Sequence, residues 1–261
     1  MSAVVTRDHW IETPAGRLFA RRWTPPEAAG NPIVLMHDSL GCVALWRDFP
    51  ELLAARTGRE VIAYDRLGFG ESEPNARVLD PGFVAEEAEL GFAPLREQLG
   101  IDRLVLFGHS VGGGMAAVCA ARFPDACEAL ITESAQAFAE ARTLSGIRDA
   151  RDGFAEPGQM ERLARYHGDK ADWVLSAWVD TWLSESFRGW SLDQVLADVR
   201  CPLLALHGEE DEYGSRAHPD RLVALSGGEA RALLIPGCGH VPHKEKPEVV
   251  LKAVADFLQG R

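Results

Sequence analysis

The apolar residues of this chain fall into short uninterrupted blocks, where a half-exposed strand would show alternation with polar residues. Residues 32–36 (PIVLM), 60–64 (EVIAY), 103–107 (RLVLF), 129–132 (ALIT), 202–206 (PLLAL) and 232–235 (ALLI) are such blocks. A strand without polar alternation is one buried on both faces, as in a parallel sheet covered by helices. Helix-patterned stretches lie between the blocks at 48–56, 83–99, 112–123 and 247–258. That alternation predicts an α/β fold: a mainly parallel sheet with helices on both faces and right-handed crossovers. Ahead of it, extended stretches at 4–12 and 17–23 flank Pro14, Ala15 and Gly16, which suit the turn of a hairpin.

One interval breaks the rhythm. Between the blocks at 129–132 and 202–206 lies room for several helices, and it holds Trp173, Trp178, Trp182 and Trp190 with Phe138, Phe154 and Phe187. This predicts a helical lid at 135–199 that splits the core into 1–134 and 200–261. A small helical unit needs bulky residues to make a core, and the same residues suit the wall of an apolar pocket. Both readings stay open, with Trp178 and Trp182 as candidate pocket residues.

Composition narrows the classes of function. With 261 residues, 46% hydrophobic and 25% charged, the chain fits one globular domain carrying a lid. A net charge of −12 and the lack of any basic block exclude a polyanion as main partner, so no nucleic acid is expected. Cys42, Cys119, Cys127, Cys201 and Cys238 are odd in number and scattered without metal-ligand spacing, which predicts free buried thiols and no metal. Arg7, Asp8 and His9 interrupt the place where a signal peptide needs an apolar run, and no window reaches the length of a membrane span. The expectation is a cytoplasmic protein without a membrane partner.

The candidate chemistry begins at Gly108-His109-Ser110-Val111-Gly112-Gly113, placed between a predicted strand and a predicted helix. A serine on a strained strand-to-helix turn needs small neighbours, which Gly108, Gly112 and Gly113 supply. The unpaired N–H groups of the following helix favour an oxyanion beside Ser110, with Val111 N–H the first donor. A serine hydroxyl also needs a base and an acid to orient that base. His240, in the glycine-rich Gly237-Cys238-Gly239 loop after the last block, is the candidate base. His243 competes, but it follows Pro242 and adjoins Lys244-Glu245-Lys246, which reads as solvated. His109 reads as a neighbour in the turn, and His9, His167 and His218 as surface or packing residues. Among Glu209, Glu210, Asp211 and Glu212, after the 202–206 block, Asp211 is chosen as the one that turns inward, three residues past Gly208. The second oxyanion donor is assigned to Ser39 N–H, in the His37–Gly41 loop, whose hydroxyl can add a further donor.

Together these residues resemble the α/β-hydrolase superfamily in its serine-nucleophile branch with a helical cap. The resemblance rests on the HxxxG loop at His37–Gly41, Asp65-Arg66-Leu67-Gly68-Phe69-Gly70-Glu71-Ser72, GHSVGG, the acid after Gly208 and Gly237-Cys238-Gly239-His240, and it covers nearly the whole chain. The order Ser, Asp, His is the superfamily's own. The resemblance implies an eight-stranded, mostly parallel sheet, a cap inserted after the sixth strand and a supporting role for the 65–72 segment. Serine at position 110 sets aside the dehalogenase and epoxide-hydrolase branches, which place aspartate there. Asp38 departs from the family, since many members carry glycine after the histidine. Aspartate lacks glycine's freedom at positive φ, and an inward carboxylate disfavours anionic substrates.

The expected activity is hydrolysis of an ester or related acyl carbonyl, carboxylesterase-like, on a small-molecule substrate with an apolar portion and without a cofactor. Cleavage of a carbon–carbon bond, lyase chemistry or perhydrolase activity with the same residues is the first alternative, and a small-ligand receptor that moves its lid is the second. Neither oligomeric state nor physiological substrate is readable from the sequence.

Overall fold

The computed structural model describes residues 4–260. Strands β1 (Val5–Thr13) and β2 (Gly16–Thr24) form the expected hairpin, followed by β3 (Ile33–Met36), helix α1 (Phe49–Thr57) and β4 (Val61–Tyr64). Helices α2 (Phe83–Glu87) and α3 (Ala93–Gln98) lead to β5 (Leu104–His109), α4 (Val111–Arg122) and β6 (Cys127–Glu133). Four helices come next: α5 (Ala141–Phe154), α6 (Gln159–His167), α7 (Ala171–Leu183) and the short α8 (Asp193–Leu196). The chain closes with β7 (Leu203–Gly208), α9 (Ala217–Leu225), β8 (Ala230–Ile235), α10 (Pro242–Glu245) and α11 (Pro247–Leu258).

The eight strands form one sheet in the order β1-β2-β4-β3-β5-β6-β7-β8, antiparallel through β1, β2 and β4 and parallel elsewhere. The unbroken apolar blocks have the expected cause. Val34, Met36, Leu104 and Leu106 face a core completed by α2, α3 and α4, whereas Ile33, Leu35, Val105 and Phe107 face one completed by α1 and α11. One block departs from this: β8 is an edge strand of the sheet, and its Arg231 and Ala232 are exposed. The helix expected over 83–99 is interrupted by a π-turn at Ala88–Phe92, where the Glu87 carboxylate lies so close over Gly91 that a Cβ there would overlap it.

The helical segment between β6 and β7 lies over the carboxyl end of the sheet and is tied down by polar contacts. His167 at the end of α6 accepts the Gly70 N–H at 2.9 Å and donates to the Leu40 carbonyl at 3.0 Å, and Lys170 donates to the Gly70 and Ser72 carbonyls at 2.7 Å each. Trp173 packs on Phe69 at 5.5 Å and leaves no space for a Cβ at Gly68. The 65–72 segment is therefore a brace, and Asp65 stiffens it by accepting the Val43 and Glu71 N–H groups. All five cysteines are buried free thiols, and among the described residues no helix is long and apolar enough to cross a membrane.

Candidate active site

Ser110 sits between β5 and α4 at φ +57°, ψ −126°. An L-residue held there costs on the order of 1–3 kcal/mol, so the surroundings must enforce it. They do so from both sides: the Ser110 N–H donates to the Glu133 carbonyl at 2.8 Å, and the Ser110 carbonyl accepts the Gly113 N–H at 2.9 Å. The glycines are needed for close approach. A Cβ at Gly108 would overlap the backbone of Gly112, and one at Gly112 would overlap the Met36 and His37 carbonyls.

Three side chains from distant parts of the chain meet at this turn. His240 Nε2 is 3.0 Å from Ser110 Oγ, and His240 Nδ1 is 2.9 Å from both carboxylate oxygens of Asp211. Asp211 is fully buried and also accepts the Tyr213 and Gly214 N–H groups at 2.8 and 3.1 Å, whereas Glu209, Glu210 and Glu212 face solvent. Burial pulls the His240 imidazole toward neutrality, but the Asp211 hydrogen bond and charge outweigh it and hold its pKa above the ordinary value. Burial likewise pushes Asp211 up, but the His240 hydrogen bond and charge, with His207 and the Tyr213 N–H, outweigh it, so the carboxyl titrates below its usual range. The loop carrying His240 is fixed by Glu245, which accepts the Gly239 and Val241 N–H groups at 2.7 and 3.0 Å.

Ser110 and His240 open into a cavity of about 170 Å³ walled by Leu40, Ile147, Trp178, Trp182, Tyr213 and Val241. Its charged lining residues are Asp38 and Glu212, with no lysine or arginine. Ser39 lines the same cavity and Val111 begins α4; neither N–H donates a hydrogen bond to another described residue. Asp38 does not adopt positive φ, so replacing glycine there imposes no backbone strain. Its carbonyl accepts Arg66 Nη2 at 2.7 Å, and one carboxylate oxygen, Oδ1, is buried without a partner. Trp182 is buried against Phe187 and Trp190, and both Trp178 and Trp182 border the cavity.

Several histidines need correction. His243 is not solvated; the single turn of α10 exposes Lys244 and Glu245 but directs His243 inward, where Nδ1 lies 2.6 Å from Glu133 Oε2. His218 is no idle packing residue: it accepts the Ala137 N–H at 3.0 Å and contacts Glu140 at 3.1 Å, linking the start of the helical segment to the loop after Asp211. His167, described above, is a second bridge. Gln136, whose Oε1 is 3.2 Å from Ser110 Oγ, carried no signal in the sequence, because nothing local marks which residue past a strand end turns toward the nucleophile. Among the described residues, His109, Glu133 and His243 alone bring three ligand-type atoms within 4.8 Å. The 2.6 Å between His243 and Glu133 is a hydrogen-bond distance, however, and two ligands on a tetrahedral zinc sit about 3.4 Å apart.

Comparison with known proteins agrees with this architecture. Residues 31–177 match the family model of the alpha/beta hydrolase fold. The chain is 29% identical over 204 residues to the serine hydrolase BPHL of Mus musculus, covering 76% of this chain and 69% of that one. It is 28% identical over 253 residues to the 2-hydroxy-6-oxo-2,4-heptadienoate hydrolase of Pseudomonas putida, covering 88% and 90%. Among solved structures, a serine hydrolase involved in carbazole degradation superimposes with a TM-score of 0.76 over 98% of this chain and 100% of that one, at 17% identity. The sheet order, the elbow at Ser110 and the family match lead to one conclusion: this chain belongs to the alpha/beta hydrolase family.

Proposed function

We propose that the protein is a serine hydrolase acting on an ester or related acyl carbonyl, through Ser110, His240 and Asp211. The carrying observation is the unbroken chain of contacts from Ser110 Oγ through the imidazole to Asp211, at 3.0 and 2.9 Å. His240 Nε2 takes the hydroxyl proton as Oγ bonds to the carbonyl carbon, and the Val111 and Ser39 N–H groups receive the oxyanion. On collapse, His240 gives the proton to the leaving oxygen. Water, deprotonated by the same imidazole, then releases the acyl group. Asp211 holds the Nδ1–H tautomer and stabilises the imidazolium. The helical segment acts as a cap, and the apolar wall it shares with Leu40 and Tyr213 accommodates an apolar acyl or leaving group.

Carbon–carbon hydrolysis is the second reading, favoured by the near full-length similarity to the Pseudomonas putida enzyme. The only charged residues of the cavity lining are the acidic Asp38 and Glu212, with no cation to receive the anionic dienoate in that relative's name, so the ester reading is preferred. A panel of p-nitrophenyl esters and a vinylogous diketone acid, run on wild type and Ser110→Ala, separates them. Ester turnover lost in Ser110→Ala supports the first reading; turnover of the diketone alone supports the second, and ester hydrolysis surviving the substitution refutes the assignment of Ser110.

A further inference from the structure

Behind Ser110 lie three titratable side chains that the proposed reaction leaves without a task. His109, Glu133 and His243 are each no more than 4% exposed. Their contacts form a path to the base. Glu133 Oε2 holds His243 Nδ1 at 2.6 Å, and the His243 ring, backed by Trp46 at 4.7 Å, meets the His109 ring edge-on at 5.1 Å. His109 Nε2 in turn lies 2.9 Å from the main-chain carbonyl of His240.

A carbonyl can only accept, so His109 Nε2 carries the hydrogen, and because burial lowers the ring's pKa to about 4 and keeps it neutral, Nδ1 does not. Asp38 Oδ2 is 3.6 Å from Nδ1, beyond hydrogen-bond reach. Glu245 holds the Gly239 and Val241 N–H groups on either side of His240, and the His109 contact adds the restraint at the His240 carbonyl itself, in a loop that contains Gly237 at φ +58°. Glu133 also fixes the other reacting partner, since its carbonyl receives the Ser110 N–H. One strand end thus sets nucleophile and base relative to each other, the first through its main chain and the second through its side chain.

We propose that His109 is a positioning residue for His240: its Nε2–H clamps the His240 carbonyl, and the Glu133–His243 pair holds the His109 ring in that pose. The inference rests on the reading of Ser110 and His240 as nucleophile and base.

Two substitutions separate a clamp from mere packing. His109→Phe keeps a ring of similar volume and removes the donor, whereas His109→Gln keeps a donor at the reach of Nε2 and removes the ring. The readouts are the rate of Ser110 phosphonylation by a fluorophosphonate and the kcat and KM for an ester. The clamp predicts a loss of about 10²-fold in His109→Phe, the scale of a small misplacement, at unchanged KM, with most of the rate restored in His109→Gln. The opposite order, with Phe active and Gln impaired, overturns it. A second measurement needs no variant: in histidine-15N-labelled wild type, long-range proton–nitrogen correlation should show His109 as the Nε2–H tautomer, and an Nδ1–H tautomer overturns the clamp even if the variants do not fold. Wild type that fails to label at Ser110 counts instead against the nucleophile assignment, and the tautomer then decides the contact of His109 by itself.

Discussion

The chemistry is concentrated in a few side chains whose environments set opposite charge preferences. Asp211 titrates below its ordinary range and His240 above it, each chiefly because burial is outweighed by the other's hydrogen bond and charge. The signs for stability and activity differ. Stability from the raised His240 is fully present below the ordinary imidazole pKa and is lost as pH rises through the folded value; stability from Asp211 is present above the ordinary carboxyl pKa and lost as pH falls through the folded one. In the proposed reaction His240 must be neutral to act as base, so the acid limb of kcat/KM should lie above the ordinary imidazole value, and a pH–rate profile checks this. Asp211→Asn should lower kcat by about 10⁴-fold through the wrong tautomer while leaving the fold intact, as stopped-flow or steady-state assays and circular dichroism would read. Ser110, Asp211 and His240 could be chosen from sequence because each follows a strand block in a recognisable turn. Gln136 and the inward turn of His243 could not, since both depend on where a chain end meets a partner more than a hundred residues away or across the site.

At the scale of elements, the helical segment over the sheet separates packing from pocket formation. Trp182 is 2% exposed and locked against Phe187 and Trp190, so Trp182→Ala should destabilise by about 3–5 kcal/mol in urea unfolding. Trp178 is only partly buried and contacts Tyr213 at 6.0 Å across the cavity, so Trp178→Ala should shift the preferred acyl chain length with a smaller stability cost. Equal stability losses and no change in chain-length preference would contradict that division. The aromatic content of this segment was visible in the sequence, but which face each ring presents is decided by the way α7 packs against the rest. The strand blocks were legible because parallel strands buried twice have no polar positions to confuse. The single turn of α10, which directs His243 inward, was missed because four residues are too few to show a period.

At the scale of the whole molecule, a net charge of −12 is joined at the cavity by Asp38 and Glu212 without a nearby lining cation. Matched neutral and carboxylate-bearing esters should therefore differ in kcat/KM in favour of the neutral one. Asp38→Asn should narrow the gap by about 1 kcal/mol, the scale of one screened charge contact, and a ratio unchanged by the substitution would show that Asp38 does not face the substrate. The central claim is that this architecture delivers Ser110 as an activated nucleophile, and covalent labelling tests it most directly. Purified protein treated with a fluorophosphonate and mapped by peptide mass spectrometry should carry a single adduct on Ser110, formed rapidly in wild type and slowed by orders of magnitude in His240→Ala. An adduct elsewhere, or a Ser110 that reacts equally fast without His240, would contradict the account.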